Sequence, residues 1–421
     1  RAGPLGRRHL TDLCINNRSR LSLRPLLGRV PAFDYDAGDY EFTHCRASRQ
    51  CHPIVGLSGA RMRVFVSEYV CGGAWPEETL DSSLAIEGRA MLVSLVEDLL
   101  RISGVDVITT WDRRLGEFPL AMSSRCEVVA TSSSTEEEQT FKRLCEESDA
   151  AFVIAPEFHG ILSARVEVAS SRTKLVGCNV AATALCSDKL KLADYLTSVG
   201  ILTVPTEKFE PANLENSSAG CASNFPCVIK PRDGAGSLLT FKVENADELA
   251  QVTNQLLSDE EGFSFIRQPF IEGTAISCAA IVSAGQGGNP EDRRINVLPP
   301  CRQLLSTDGR FTYEGADFPV AIDAADEVRI ERLVRRCCSV IPGLNGYVGF
   351  DLLVPCSGNV EPIVVEINPR LTTGYLLWQK MCNENLVARM LRSACGVVIT
   401  DKPPLSWKTD SDSIRISSLS E

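Results

Sequence analysis

With 421 residues, 44% of them hydrophobic and 23% charged, the chain has the length for two or three domains and the composition of a globular protein. A net charge of −11 leaves no basic footprint for nucleic acid, and no run of about 18 apolar residues is present to span a membrane. The seventeen cysteines are odd in number, scattered and often set in apolar patterns, as at Cys227, Cys278 and Cys337. There is no Cys-x-x-Cys pair, and His159 is the one histidine after residue 52. Disulfides and zinc are therefore disfavoured, and cysteine reads as a small buried hydrophobe in a reducing cytoplasm.

Residues 1–61 differ from the rest: ten Arg, no Lys and five acids give +5, against −16 for everything after them. This stretch is expected to be disordered or a gene-model extension, with Met62 as the true start. From Met62 an α/β domain is expected to residue 180. Arg63–Val66, Val105–Thr109 and Ala151–Ala155 read as strands of a parallel sheet. A helix capped by Asp81-Ser82-Ser83 and a second over Glu136–Glu147 alternate with them. Gly72-Gly73 reads as a tight turn, and no Gly-x-Gly-x-x-Gly follows an early strand, which argues against a nicotinamide oxidoreductase. Glu157 and His159 stand past a strand's C-terminal end, where open α/β sheets bind ligands.

Ser187 is expected to cap the helix 188–199, which places Lys189 in a first turn where the helix dipole disfavours a cation, unless that cation meets an anion. Pro226–Pro231 then reads as a strand with Lys230 near its end, followed by the loop Asp233-Gly234-Ala235-Gly236-Ser237 and the strand Thr240–Val243. Gly234 and Gly236 would let backbone N–H groups approach a phosphate that Lys230 neutralises. A helix over 247–257, a strand 263–267 and the hinge Gln268-Pro269-Phe270-Ile271-Glu272-Gly273 come next. Strands 274–282, 295–298 and 311–313 follow, then a helix over 326–341. Finally, Gly349–Val354 and Val364–Arg370 read as a β-hairpin. Glu366 and Asn368 would share one face with Asp351 opposite, while Val365 and Ile367 point into the core. Two carboxylates and an amide oxygen at one sheet end suit Mg²⁺.

Taken in order, Asp188-Lys189, Val228–Pro231, the glycine loop, the 268–271 hinge, Asp351 and Glu366-Ile367-Asn368-Pro369-Arg370 resemble the ATP-grasp superfamily of carboxylate–amine ligases. The resemblance implies α/β plus α+β architecture: a Rossmann-like pre-ATP-grasp domain (62–180) and an ATP-grasp domain (181–400) of two α+β subdomains gripping ATP, with a loose tail from 401. It further implies that Lys189, Lys230, Gly234, Gly236 and Ser237 hold the phosphates, and that Gln268, Phe270 and Ile271 form the adenine hinge. Glu272 is the one nearby candidate for the ribose. Asp351, Glu366 and Asn368 would ligate two Mg²⁺, with Mn²⁺ as a substitute, and Arg302 and Arg370 would steady the substrate carboxylate and acyl phosphate. Within the superfamily, Glu68-Tyr69-x-x-Gly72-Gly73, Ala155-Pro156-Glu157 and Arg302-Gln303 look most like tyramine–L-glutamate ligases. The expected partners are a small carboxylate and an amine, with no nucleic acid and no membrane; the oligomeric state is open and admits a homodimer. Two alternatives stand beside this reading: a D-alanine–D-alanine-like ligase, and an ATP-binding module without turnover.

Overall fold

The computed structural model describes residues 61–75, 80, 82–120, 123–212, 225–258, 262–283, 293–356, 360–395, 405, 407 and 414–417. The expectations for residues 1–60, for Asp81 as a cap and for most of the tail from 401 lie outside the described residues.

The first layer is a parallel sheet. In chain order it comprises β1 (Met62–Glu68), α1 (Ser82–Leu100), β2 (Val105–Asp112), β3 (Cys126–Thr131), α2 (Ser134–Glu147), β4 (Ala150–Ile154), α3 (Ile161–Arg172) and β5 (Lys174–Leu175). The strand order is β3-β2-β1-β4-β5. Strands buried on both faces read as continuous apolar runs, which is why Val64-Phe65-Val66 carries no alternation. Leu92, Leu95 and Leu99 of α1 cover one face, while Phe141 and Leu144 of α2 and Leu162 of α3 cover the other. β1 and β4 are neighbours although the chain leaves β1 for β2. The crevice between their C-terminal ends, beside Glu68 and Glu157, is therefore a topological switch point.

Two short helices follow, α4 (Val180–Ser187) and α5 (Lys189–Ser198). The cap of α5 is Asp188 rather than the expected Ser187. The Asp188 backbone is extended, and its carboxylate accepts the Lys191 N–H at 3.0 Å, whereas Ser187 is the buried last residue of α4.

The second layer is a small antiparallel sheet of β6 (Glu207–Phe209), β7 (Cys227–Pro231), β8 (Phe241–Val243) and β9 (Phe265–Pro269), in the order β6-β9-β7-β8 and backed by α6 (Ala246–Leu257). The third is a large antiparallel sheet of β10 (Gly273–Val282), β11 (Ile295–Val297), β12 (Cys301–Leu305), β13 (Tyr313–Phe318), β14 (Gly346–Pro355), β15 (Ile363–Asn368) and β16 (Ile414–Ser417). Its order is β15-β14-β10-β12-β13-β16, with β11 on β10; the one described strand of the expected tail thus pairs with β13. On one face α7 (Ala324–Val340) packs through Ile330, Val334 and Cys337. On the other lie α8 (Tyr375–Met381) and α9 (Leu386–Ala394), whose Tyr375, Trp378 and Leu386 share a core with α1. α1 is thus wedged between the parallel sheet and the large sheet's helices. None of the thirteen described cysteines is in a disulfide and eleven are buried, as expected of cysteine used as a hydrophobe.

The β14–β15 hairpin forms as expected, with one difference. Asp351 pairs with Glu366 but Leu352 pairs with Val364, so Val365 is bulged. The bulge breaks the two-residue alternation: Val364 and Ile367 enter the core, while Val365 joins Glu366 on the cavity wall.

Candidate active site

Between the small and large sheets lies a cavity of about 310 Å³. Its walls come from the start of α5, the end of β7 with its glycine loop, the hinge after β9, strands β12 to β15, residues 370–374, and Glu87 of α1.

Two lysines converge there from different elements. Lys189, 6% exposed, donates from Nζ to Gly234 O at 2.6 Å and pairs with Glu366 Oε1 at 3.0 Å. The cation placed against the helix dipole does meet an anion. Lys230 is equally sunk, and burial pulls its pKa down to about 8, against the raising effect of Glu366. The elements are pinned together beside them. Arg232 grips Asp188 through two bonds of 2.7 Å, and the Lys189 N–H donates to Arg232 O at 2.9 Å. From the parallel-sheet side, the His159 N–H donates to Asp233 Oδ2 at 2.9 Å.

The glycine loop brings Gly234, Gly236 and Ser237 to the cavity. Gly236 has φ +63°, where a side chain is disfavoured, and a Cβ on Gly234 would stand 3.0 Å from Pro231 Cβ. Ser237 Oγ donates to Phe311 O at 2.7 Å, and the Lys242 N–H donates to Gly309 O at 2.7 Å. The Phe311 ring stacks near Phe270, centroids 6.2 Å apart, and Lys242 Nζ lies 4.1 Å from the Phe270 ring centre. Phe311 has φ 55°, which places it in the β12–β13 turn rather than in the expected strand 311–313.

Of the hinge residues, Gln268, Phe270 and Ile271 line the cavity, with Gln268 Nε2 held on Thr206 Oγ1 at 2.8 Å. The Phe270 N–H already donates to Pro226 O at 3.0 Å, so a base edge could meet its carbonyl and the Ile271 amide. Glu272 is a correction: it is exposed at the start of the turn into β10 and does not line the cavity.

Asp351, Glu366 and Asn368 do come together. Asp351 accepts from Gln303 Nε2 at 2.6 Å and from Asn368 Nδ2 at 3.1 Å. Burial, and then the Glu366 charge, raise the Asp351 pKa to about 6. Burial would also raise Glu366, yet Lys189, Lys230 and Arg370 together hold it below its ordinary value. Two close carboxylates that repel each other fit a hard divalent cation. Among the described residues no cluster of three acid, histidine or cysteine side chains could hold a metal alone. This set would therefore share an ion with phosphate oxygens, the Asn368 amide turning its oxygen inward.

The two arginines part company. Arg370 lines the cavity, but Nε and Nη2 are bound to Glu157 at 2.6 and 2.8 Å, and Nη1 donates to Leu371 O at 3.2 Å. It can therefore offer a ligand only part of its fork. Arg302 is the second correction. On β12 successive side chains alternate, so Gln303 and Leu305 face the cavity and Arg302 is exposed away from it. Of the Arg302-Gln303 dipeptide, the fold brings Gln303 to the cavity and leaves Arg302 outside it. Glu87, Tyr313 and Phe311 also line the cavity without having been singled out, because a polar position on a helix and aromatics near a turn carry no motif.

Comparison with known families decides what this arrangement belongs to. An ATP-grasp domain model matches residues 186–374, and a pre ATP-grasp 3 domain model matches residues 105–183. The chain has the ATP-grasp fold. Among its relatives is the tyramine–L-glutamate ligase of Methanocaldococcus fervens, 29% identical over 229 residues, which are 54% of this chain and 60% of that protein. The D-alanine–D-alanine ligase of Methylococcus capsulatus is 26% identical over 206 residues, 48% of this chain and 62% of that one. Both matches span less than two thirds of the relative's length. In fold, this ATP-grasp chain is similar to a putative ATP-grasp superfamily protein from Archaeoglobus fulgidus, with a TM-score of 0.57 and 22% identity, covering 78% of this chain and 88% of the other.

Proposed function

We propose that this ATP-grasp protein is an ATP-dependent carboxylate–amine ligase. The observation that supports it most is the convergence of Lys189 and Lys230 with Asp351, Glu366 and Asn368 in one cavity beneath the glycine loop. Phosphoryl transfer is chiefly positioning and charge neutralisation, which is what buried lysines beside paired carboxylates provide. In this reading a substrate carboxylate oxygen attacks the γ-phosphorus of ATP, giving an acyl phosphate and ADP. An amine then attacks the acyl carbon, phosphate leaves and an amide forms. Lys189 and Lys230 hold phosphates, the Gly234–Ser237 loop covers them, and the free part of the Arg370 fork orients the acid. Mg²⁺, two ions in the family pattern, would be held by Asp351, Glu366 and Asn368 and would neutralise phosphate charge; Mn²⁺ is the natural substitute.

For the substrates we propose glutamate and an aromatic amine such as tyramine, in line with the names of the relatives and with the Glu68, Glu157 and Gln303 positions. The test is a phosphate-release screen of the whole chain over acids and amines, with the product identified by mass. Amide formation from glutamate and tyramine is the expected result. A D-alanine dipeptide would redirect the substrate assignment, and ATP binding without release under any pair would overturn the ligase reading.

A further inference from the structure

Three consecutive residues past β4 touch both halves of the candidate site, although none of them lines its cavity. Glu157, buried, holds Arg370 through two bonds of 2.6 and 2.8 Å. Phe158, also buried, meets Trp75 and Phe263 edge-on, with ring centroids 6.4 Å apart in each pair. His159 has φ 54°, in the left-handed region that non-glycine residues avoid unless their surroundings enforce it. Its N–H donates to Asp233 Oδ2 at 2.9 Å, and its ring stacks on Phe263, with centroids 4.6 Å apart and planes at 28°. Asp233 opens the glycine loop, and Phe263 leads into β9 of the same small sheet. Asp233 also stands between Arg232, which grips Asp188, and Gly234, whose carbonyl accepts from Lys189 Nζ at 2.6 Å. One short stretch on the parallel-sheet side thus reaches the arginine proposed for the acid at one end and the nucleotide loop at the other.

We infer that Glu157–His159 couples the nucleotide half of the site to the acid half, with Asp233 as the positioning residue through which it does so. The inference rests on the ligase reading and deepens it. A triphosphate under the glycine loop fixes Gly234–Ser237, and with them Asp233, their neighbour in the chain. Asp233 and Phe263 then hold His159 from the small-sheet side, and a held His159 leaves Glu157 little freedom to carry Arg370 out of line. The acid therefore meets an arginine already aimed, which lowers the entropy lost on binding it. Linkage makes the effect reciprocal: whatever loosens the Asp233 bond weakens the hold on nucleotide and acid alike.

The test is amide hydrogen–deuterium exchange of the full chain, read by mass spectrometry with and without Mg²⁺ and the non-hydrolysable analogue AMP-PNP. Nucleotide should slow exchange of the peptide covering 157–162 on the order of fivefold or more, although that peptide lies outside the cavity. In Asp233→Ala the glycine-loop peptide should still be slowed and the 157–162 peptide should not. Asp233→Asn should restore the slowing, since its carbonyl can accept the same N–H. Phe263→Leu, which removes the stacked ring and keeps the bond, should lose part of it. No slowing at 157–162 in the wild type overturns the inference, and so does equal slowing in Asp233→Ala. No slowing at either peptide brings down the nucleotide site as well. Turnover supplies a second readout, hydroxamate formation from hydroxylamine and a panel of amino acids beginning with L-glutamate. There Asp233→Ala should raise KM for the acid and for ATP on the order of fivefold, with kcat held within about twofold. A loss confined to kcat contradicts a positioning role. If the wild type makes no hydroxamate from any acid, the ligase reading falls, while the exchange result still decides the coupling.

Discussion

Lys230 and Asp351 set the pH window of the ligand-free site from opposite sides. Burial lowers the lysine to about 8, so as pH rises through 8 the cation that would meet phosphate is lost. Burial and Glu366 raise Asp351 to about 6, so as pH falls through 6 the carboxylate that would meet a metal is lost. Affinity for Mg·ATP, measured by calorimetry, should therefore peak between about pH 6 and 8. On the alkaline side it should fall by up to about tenfold per pH unit, and Lys230→Arg should remove that limb because guanidinium stays charged. Gln303→Ala takes away a 2.6 Å hydrogen bond that favours ionised Asp351, so the acid limb should move to higher pH. Arg302→Ala, on the exposed face of the same strand, should leave ATP affinity within about twofold. The sequence showed the dipeptide; which member faced inward depends on register with β10 and β13, which a single strand does not encode.

At the scale of elements, placement rests on close approaches that only small residues permit. A Cβ on Gly88 of α1 would lie 2.6 Å from the carboxyl of Glu68, which is buried at the end of β1 and accepts the Cys71 N–H at 2.6 Å. Glu68 could swing aside only by giving up its bond to the Cys71 N–H, so Gly88→Ala should destabilise the fold by on the order of 1–3 kcal/mol in urea denaturation, with α1 displaced from the cavity it helps to line. Long periodic segments such as α2, α6 and α7 were legible in the sequence to within a few residues, because a buried stripe repeats. β3 was not. Only Thr131 is buried, the other residues are half-buried or exposed, and the apolar run is just Val128-Val129-Ala130, too short to mark a strand. The Val365 bulge was equally hidden, since the extra residue is defined by what Leu352 and Asp351 pair with, not by its own side chain.

Across the described residues, the parallel sheet and the two antiparallel sheets are joined by an apolar core around α1 and by the buried ion pair of Arg370 with Glu157. Removing one partner of such a pair leaves the other charged and buried, so Glu157→Gln should cost about 3 kcal/mol of stability in denaturant titration. It should also free the Arg370 fork, shifting KM for the acid more than KM for ATP. The pair was within reach of the sequence only as two separate candidates, because 213 residues separate them. The order of the motifs, by contrast, was legible throughout, since phosphate and metal chemistry demands particular residue types at strand ends.

In the proposed reaction the carboxylates at the β14–β15 hairpin, with the two lysines, turn over ATP against an acid and an amine. It is tested most directly by comparing phosphate release by the wild type and by Glu366→Ala, with circular dichroism to check the fold. Release by the wild type should require acid, amine and Mg²⁺ together, and the folded variant should lose on the order of a thousandfold or more. Full turnover by folded Glu366→Ala would contradict it.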